Sequence, residues 1–117
     1  MEQKERFGAI IREKRKAKGI TLRAFADLLG VSPTYVSQVE QGKSLTLPTT
    51  ARVKAMAHVL GEDPDELFAL AGRVADDLPG IIRRHPHEMA SLLRVAKGLT
   101  ADEILYLSEQ ARKLRKP

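Results

Sequence analysis

Apolar residues recur along the 117-residue chain at intervals of three and four, which is the period of an amphipathic α-helix. The first segment with this period spans residues 4–18, and its inward stripe is expected to contain Phe7, Ile10, Ile11 and Ala17. Strand-like alternation of apolar and polar residues does not recur in the sequence. The pattern therefore predicts an all-α protein.

Small polar residues and glycines predict where the first helices begin and end. Gly19 is expected to end the first helix, and Thr21 is expected to cap the second. The pair Ser32-Pro33 is typical of a helix start, because serine caps and proline fits the first turn. The elements predicted after this point are a third helix over 33–41, a loop over 43–48, a fourth helix that closes at Gly61 and a short fifth helix opened by Asp63.

A domain boundary is expected near Gly72, which divides the chain into residues 1–72 and residues 73–117. The second part is predicted to hold a short helix over 78–84, a break at Pro86, and a helix that ends at Gly98. The inner face of that helix is expected to contain Met89, Leu92, Leu93 and Ala96. A capping box at residues 100–103 opens the last helix, whose apolar stripe consists of Ile104, Leu107, Ala111 and Leu114.

Composition narrows the class of protein further. Hydrophobic residues make up 43% of the chain and charged residues 30%, which is enough apolar material for a core. The longest apolar run covers residues 67–72, and the amino terminus lacks an apolar block, so neither a membrane span nor a signal peptide is expected. The sequence has no cysteine, which excludes disulfides, thiol catalysis and most structural zinc sites. We therefore expect a cytoplasmic protein without a membrane partner.

The net charge of +5 is unevenly distributed along the chain. Residues 1–60 carry 11 Lys and Arg against 5 Asp and Glu, residues 61–77 carry 1 against 6, and residues 78–117 carry 8 against 4. A basic front half and a basic tail indicate a surface that faces a polyanion. A soluble surface with mildly uneven charge explains the same counts.

Residues 22–41 fit the steric requirements of a helix-turn-helix. Two helices that cross over a short turn need a small residue at the crossing and a backbone kink between them. Ala26 supplies the small residue, and Gly30 can adopt the left-handed conformation without steric cost. The side chains expected to fill the shared core are Leu22, Phe25, Leu29, Val31, Val36 and Val39.

The stretch TLRAFADLLGVSPTYVSQVEQGK, residues 21–43, resembles the lambda-repressor-like helix-turn-helix family, the Cro/repressor or XRE-like regulators. With the first helix and residues 57–61, the resemblance covers residues 5–71. It implies a five-helix DNA-binding domain followed by a small helical carboxy-terminal segment. It also implies a sequence-specific regulator, usually a repressor, that binds double-stranded DNA as a homodimer. The tail is similar to carboxy-terminal helices of the sporulation-control and radiation-response repressor types.

The resemblance implies that the exposed face of the third helix meets base edges in the major groove. Helical geometry gives this face Thr34, Ser37, Gln38 and Gln41. Gln38 can pair bidentately with adenine, while Thr34 and Ser37 offer hydroxyls or a contact with a thymine methyl. Pro33 occupies a position that is often glutamine in the family, and its side chain cannot form a hydrogen bond with a base.

Residues that flank the third helix are the expected phosphate contacts: Arg23, Tyr35, Gln41, Lys43, Ser44 and Thr46. Arg23 lies in the first turn of the second helix, whose amide end already favours an anion. Tyr35 has an alternative role, in which its ring packs over the turn.

Arg15 and Glu40 have a structural role in the resemblance. It implies an ion pair between the first helix and the end of the recognition helix, flanked by Ile11 and Val36. Such a pair would fix the recognition helix against the domain. Removing one partner of a buried pair costs about 3–5 kcal/mol.

No convergent set of polar groups indicates an enzyme, so neither a catalytic residue nor a cofactor is expected. His85, His87 and Glu88, with His58 elsewhere, superficially resemble metal ligands. Their spacing across a proline does not place two imidazoles on one helix face, and no third ligand is obvious. Capping or solvation is the favoured role of these histidines, and no metal is expected.

The competing function is a protein-interaction role. Antitoxins and regulatory adaptors use the same fold, and in that case the tail binds a toxin, a protease or an antirepressor. We expect the stripe of the last helix to form a homodimer interface, because isologous dimers are the commonest oligomers. The same stripe could also close a core within one chain.

Overall fold

The computed structural model describes residues 2–115, and all regular secondary structure in that range is α-helical. The eight helices of the described range are α1 (Gln3–Ala17), α2 (Leu22–Leu29), α3 (Pro33–Glu40), α4 (Thr50–Leu60), α5 (Pro64–Leu70), α6 (Leu78–Arg84), α7 (Pro86–Ala96) and α8 (Ala101–Leu114). The prediction of an all-α fold is confirmed.

Side-chain caps fix the predicted helix starts. The Thr21 hydroxyl accepts a hydrogen bond from the amide three residues on at 3.1 Å, and Ser32 does the same at 3.1 Å. At α8 the capping box is complete, because Thr100 and Glu103 each accept a hydrogen bond from the other's amide, at 3.2 and 2.9 Å. These bonds satisfy amides that the first helical turn leaves without a backbone partner.

The chain forms two compact units, and the division between them lies between residues 76 and 77. This division falls four residues beyond the boundary expected after residue 72. Arg73 donates hydrogen bonds to the carbonyls of Pro48 at 2.6 Å and Leu47 at 3.1 Å. Asp76 accepts one from the Thr50 hydroxyl at 3.2 Å. Residues 73–76 therefore belong with the amino-terminal unit, because they hold its loop before α4.

A continuous apolar core lies among α1–α5 in the amino-terminal unit. Its largest fully buried side chains are Phe7, Ile11, Phe25, Val36, Val53, Met56, Leu60 and Leu67. Ala17, which was expected on the inner stripe of α1, is exposed. The buried side of α1 runs instead through Gly8, Ile11 and Arg15, and Ala17 is turned away from it by the helical period.

The carboxy-terminal unit buries none of its residues within the described range 77–115. Leu92 and Leu93 are 51% and 54% exposed, so the prediction that α7 buries this face is wrong for the single chain. An apolar stripe predicts that a face will be covered, but α7 and α8 make few contacts with each other, so neither helix covers the stripe of the other. The stripe of α8 is uncovered in the same way.

Arg73→Ala is expected to lower the free energy of unfolding of the amino-terminal unit by about 1–3 kcal/mol, because two loop carbonyls lose a charged donor. Urea denaturation followed by circular dichroism measures the change. Arg84→Ala, which removes an exposed arginine from the other unit, is the control and should cost less than about 0.5 kcal/mol. Equal effects of the two substitutions would contradict the role given to Arg73.

Candidate nucleic-acid interface

The turn between α2 and α3 has the small residue and the kink expected from the sequence. Gly30 ends α2 in the left-handed conformation, with φ 72°, where any side chain would be strained. The Val31 amide donates a hydrogen bond to the Ala26 carbonyl at 3.0 Å, and Ala26 itself is fully buried. The chain therefore turns sharply after α2, and α3 begins at Pro33.

One side of α3 exposes polar side chains to solvent. Thr34, Gln38 and Gln41 are exposed and Ser37 is half-buried. The amide nitrogen Nε2 of Gln41 donates a hydrogen bond to the hydroxyl oxygen of Ser37 at 3.0 Å. Pro33 is half-buried at the first helical position. The opposite side of α3 is buried, so the helix has one packing face and one polar face.

α1 lies directly against the carboxyl end of α3. A Cβ atom at Gly8 would come within 2.1 Å of the Val39 carbonyl oxygen and within 2.8 Å of that of Glu40. A side chain at this position would force the two helices apart. Glycine therefore sets how closely α3 approaches the rest of the unit.

A buried ion pair joins α1 to the last residue of α3. Arg15 Nε donates a hydrogen bond to Glu40 Oε2 at 2.7 Å, and Arg15 Nη2 donates one to Glu40 Oε1 at 3.0 Å. Arg15 Nη1 also donates to the Ile20 carbonyl at 2.8 Å. Both charged residues are only 7% exposed. The hydrogen bonds that Arg15 donates to Glu40 raise the pKa of Arg15, against the effect of burial, and the negative charge of Glu40 adds to the rise.

The loop between α3 and α4 is tethered near both ends. Lys4 Nζ donates a hydrogen bond to the Ser44 carbonyl at 3.1 Å, and Arg73 holds the loop residues before α4. The Ser44 hydroxyl donates to the Thr46 carbonyl at 2.9 Å, so this hydroxyl can accept but not donate a further hydrogen bond without rearrangement. Lys43 and Thr46 are exposed. The loop thus presents one cation and two small polar residues beside α3.

Tyr35 packs against the amino-terminal unit. Its ring is half-buried against the core, with the Arg52 guanidinium carbon 4.9 Å from the ring centroid. This geometry is that of a cation–π contact. Arg52 was missed by the sequence analysis, because no local spacing links it to a residue on another helix. Arg23 is exposed in the first turn of α2.

Arg12 is a second residue that the sequence analysis missed. It is exposed on α1 and lines a cavity of about 170 Å³ together with Ser37 and Gln41 from the polar face of α3. Arg15 and Glu40 line the same cavity. A signal was present, since Arg12 precedes Arg15 by three residues and so shares its side of α1.

None of the three histidines belongs to a group of potential metal ligands in the described part of the chain. His58, His85 and His87 are all exposed, and residues 2–115 hold no group of three or more His, Cys, Asp or Glu side chains that could bind a metal ion. Within the same range, no helix combines the length and the apolar character needed to cross a membrane.

Known proteins share this arrangement of helices. The family model described as Helix-turn-helix, HTH_3, matches residues 11–67. Over 63 residues the chain is 40% identical to the uncharacterized HTH-type transcriptional regulator YazB of Bacillus subtilis, an alignment that covers 54% of this chain and 88% of YazB. The chain belongs to this helix-turn-helix family. The resemblance to XRE-like regulators is confirmed.

Two further comparisons concern the length and fold of this helix-turn-helix protein. It is 37% identical over 68 residues to the uncharacterized HTH-type transcriptional regulator RghRB of Bacillus subtilis, and the match covers 58% of this chain and 48% of RghRB. The chain thus spans about half the length of that relative. The crystal structure of the clp gene regulator ClgR from Corynebacterium glutamicum aligns with a TM-score of 0.54 and 25% identity, covering 82% of this chain and 95% of ClgR.

Glu40→Gln is expected to lower the free energy of unfolding of the amino-terminal unit by about 3–5 kcal/mol, because it leaves the Arg15 charge buried without a counterion. Glu62→Gln is the matched control, since Glu62 pairs with Lys14 at 2.9 Å where both side chains are about one-third exposed. It should cost at most about 1 kcal/mol. Chemical denaturation of both variants measures the difference, and a Glu40→Gln protein as stable as Glu62→Gln would refute a structural role for the buried pair.

Proposed function

We propose that this protein is a DNA-binding transcriptional regulator, a sequence-specific repressor that binds a palindromic operator as a dimer, with α3 of each copy in a major groove. The observation that supports the proposal is the division of α3 into an exposed polar face and a face fixed by the Arg15–Glu40 pair. A helix held in this way presents its side chains to base edges in one orientation, which discrimination between sequences requires.

Gln38 is the principal base-reading residue in this proposal, because its exposed amide can pair with both N6 and N7 of adenine. Thr34 and Ser37 add hydroxyls that donate or accept hydrogen bonds. Pro33 lacks a hydrogen-bonding side chain, so its proposed contact is apolar, with a thymine methyl group.

The proposed phosphate contacts surround α3 on three elements. Arg12 lies on α1, Arg23 begins α2, and Lys43 lies in the loop after α3. All three are exposed cations, and cations of this kind release condensed counterions when they neutralise DNA phosphates. The uncharged members of the proposed phosphate-binding set are Tyr35, Gln41, Ser44 and Thr46.

Dimerisation is proposed to occur through the uncovered stripe of α8. Ile104 and Leu107 are 44% and 41% exposed and Leu114 is 87% exposed, so this helix offers apolar side chains that the described chain covers only in part. A two-fold dimer matches half-sites about 34 Å apart on one side of the duplex. A cytoplasmic location, which gives access to chromosomal DNA, is part of the same proposal.

A second candidate function is a protein-interaction role, which the extent of the uncovered apolar surface favours. The apolar side chains of α7 and α8 that are more than half exposed, besides Leu114, are Leu92, Leu93, Val95, Leu105 and Tyr106. In this role the carboxy-terminal unit binds a toxin, a protease or an antirepressor, and DNA binding is secondary. Light scattering on the purified protein separates the two functions, because a dimer favours the repressor and a monomer favours the partner-binding role.

Gln38→Ala is expected to lose discrimination at one base pair by about 1–3 kcal/mol while the fold stays intact. Lys43→Ala is the matched control, which should weaken binding to all duplexes alike and flatten the salt dependence because one phosphate contact is lost. Fluorescence anisotropy with a selected duplex and a random duplex at two salt concentrations gives the dissociation constants. If Gln38→Ala weakens binding to both duplexes equally, Gln38 does not read a base. Binding that is independent of salt and of sequence would refute the proposed repressor function.

Leu107→Lys is expected to convert the dimer to a monomer and to weaken operator binding, because a charge is costly to bury in an apolar interface. Leu105→Lys is the control, since position 105 lies on the other side of α8 from the stripe. Truncation after Asp76 should also give a folded monomer. Sedimentation equilibrium measures all three, and an undiminished dimer for Leu107→Lys would place the interface elsewhere.

A further inference from the structure

The intervals between the apolar residues of the α8 stripe are the same whether they are counted from its amino end or from its carboxyl end. Ile104, Leu107, Ala111 and Leu114 follow one another at intervals of three, four and three residues. A second copy of α8 that runs antiparallel, related by a two-fold axis at the level of residue 109, therefore meets the stripe at matching levels. Ile104 then lies opposite Leu114 of the partner subunit, and Leu107 lies opposite Ala111 of the partner subunit.

Side-chain volume favours this antiparallel arrangement over a parallel one. In the antiparallel pair, the large Leu107 meets the small Ala111 of the partner subunit, and two-fold symmetry repeats the contact on the other side of the axis. In a parallel pair, leucine would meet leucine at one level and alanine would meet alanine at another. The alanine level would then leave a gap, and unfilled apolar space is destabilising.

The charges of α8 differ between its two ends. The first turn is acidic, with Asp102 and Glu103, and the last turn is basic, with Arg112 and Lys113. Antiparallel pairing brings the acidic end of each helix level with the basic end of the other and opposes the two helix dipoles. Asp102, Arg112 and Lys113 point away from the stripe, so their charges favour this direction only through their field at the helix ends and not through contacts across the interface. Glu109, at the level of the axis, forms an ion pair with Arg112 in its own helix. Parallel pairing would gather both basic turns at one end.

We propose that two copies of this chain pair through antiparallel α8 helices, in the register that sets Ile104 against Leu114 and Leu107 against Ala111. This inference rests on the dimer of the proposed function and adds its geometry. It also predicts which positions cannot meet. Leu105 of one copy and Lys113 of the other lie at the same level along the paired helices, but both side chains are on the side of α8 away from the stripe.

Cysteine cross-linking tests the register directly, because the natural sequence has no cysteine. ¹⁵N-labelled Ile104→Cys protein is unfolded and refolded together with unlabelled Leu114→Cys protein, and a mild oxidant is added. Mass spectrometry then separates mixed disulfide dimers from dimers of one variant. Leu107→Cys with Ala111→Cys is the second pair, and Leu105→Cys with Lys113→Cys is the level-matched control.

The expected result is that mixed Ile104→Cys and Leu114→Cys dimers exceed their own single-variant dimers by roughly tenfold, and that both stripe pairs exceed the control pair by roughly tenfold, because a disulfide needs Cα atoms within about 7 Å. Two Ile104→Cys chains in the proposed register hold their cysteines about 15 Å apart along the helix axis. Predominant single-variant links at both 104 and 114 would overturn the antiparallel register while leaving the dimer in place. Control links as frequent as stripe links would also overturn it.

If the cysteine substitutions in the stripe weaken pairing, a spin label at Arg115→Cys measures the helix orientation without changing the stripe. The antiparallel register separates the two labels by about 18 Å along the helix axis, whereas a parallel pair brings them level. A dimer whose labels are level would overturn the inference alone. A dimer that forms no links through α8 would also overturn the proposed interface on the stripe. A wild-type chain that sedimentation equilibrium shows to be monomeric would overturn the proposed dimer as well.

Discussion

The buried ion pair between Arg15 and Glu40 is the constraint on which the amino-terminal unit depends. α3 has only eight residues, too few for a stable isolated helix, so contacts with other helices must determine its position. Two guanidinium nitrogens hold the Glu40 carboxylate and a third holds a backbone carbonyl, and this planar fork fixes one geometry. A buried pair of this kind adds little net stability compared with apolar side chains of equal volume. Its main effect is therefore on the orientation of α3.

Packing and the proposed base reading use different sides of the same short helix. The close approach at Gly8 involves backbone carbonyls at the end of α3, and those atoms are present whatever side chains the outer face carries. Thr34 and Gln38 point away from the core and lie outside every buried cluster. The outer face can therefore change without a change in the fold. In the proposed function, this separation permits one scaffold to recognise different DNA sequences.

Local chemistry allowed much of the fold to be predicted from the sequence. The caps at Thr21, Ser32 and Thr100 act within one turn of helix, so their positions are visible in the sequence. The contacts of Arg73 and the stacking of Arg52 on Tyr35 were not predictable, because both join segments that are distant in sequence. Arg73 moreover binds backbone carbonyls, which every residue possesses, so no side-chain type marks its partners. The stripe of α8 shows the limit most clearly, since apolar spacing indicates that a face will be covered but not by what.

The loop between α3 and α4 is held by Lys4 near one end and Arg73 near the other before any DNA is present. An ordered loop has already lost the conformational entropy that a free loop would lose on binding. In the proposed complex, encounter with the duplex then requires no folding of this loop, and its rate can be governed by electrostatic attraction. The speed of association in the proposed function thus depends in part on two cations whose hydrogen bonds stay within the protein.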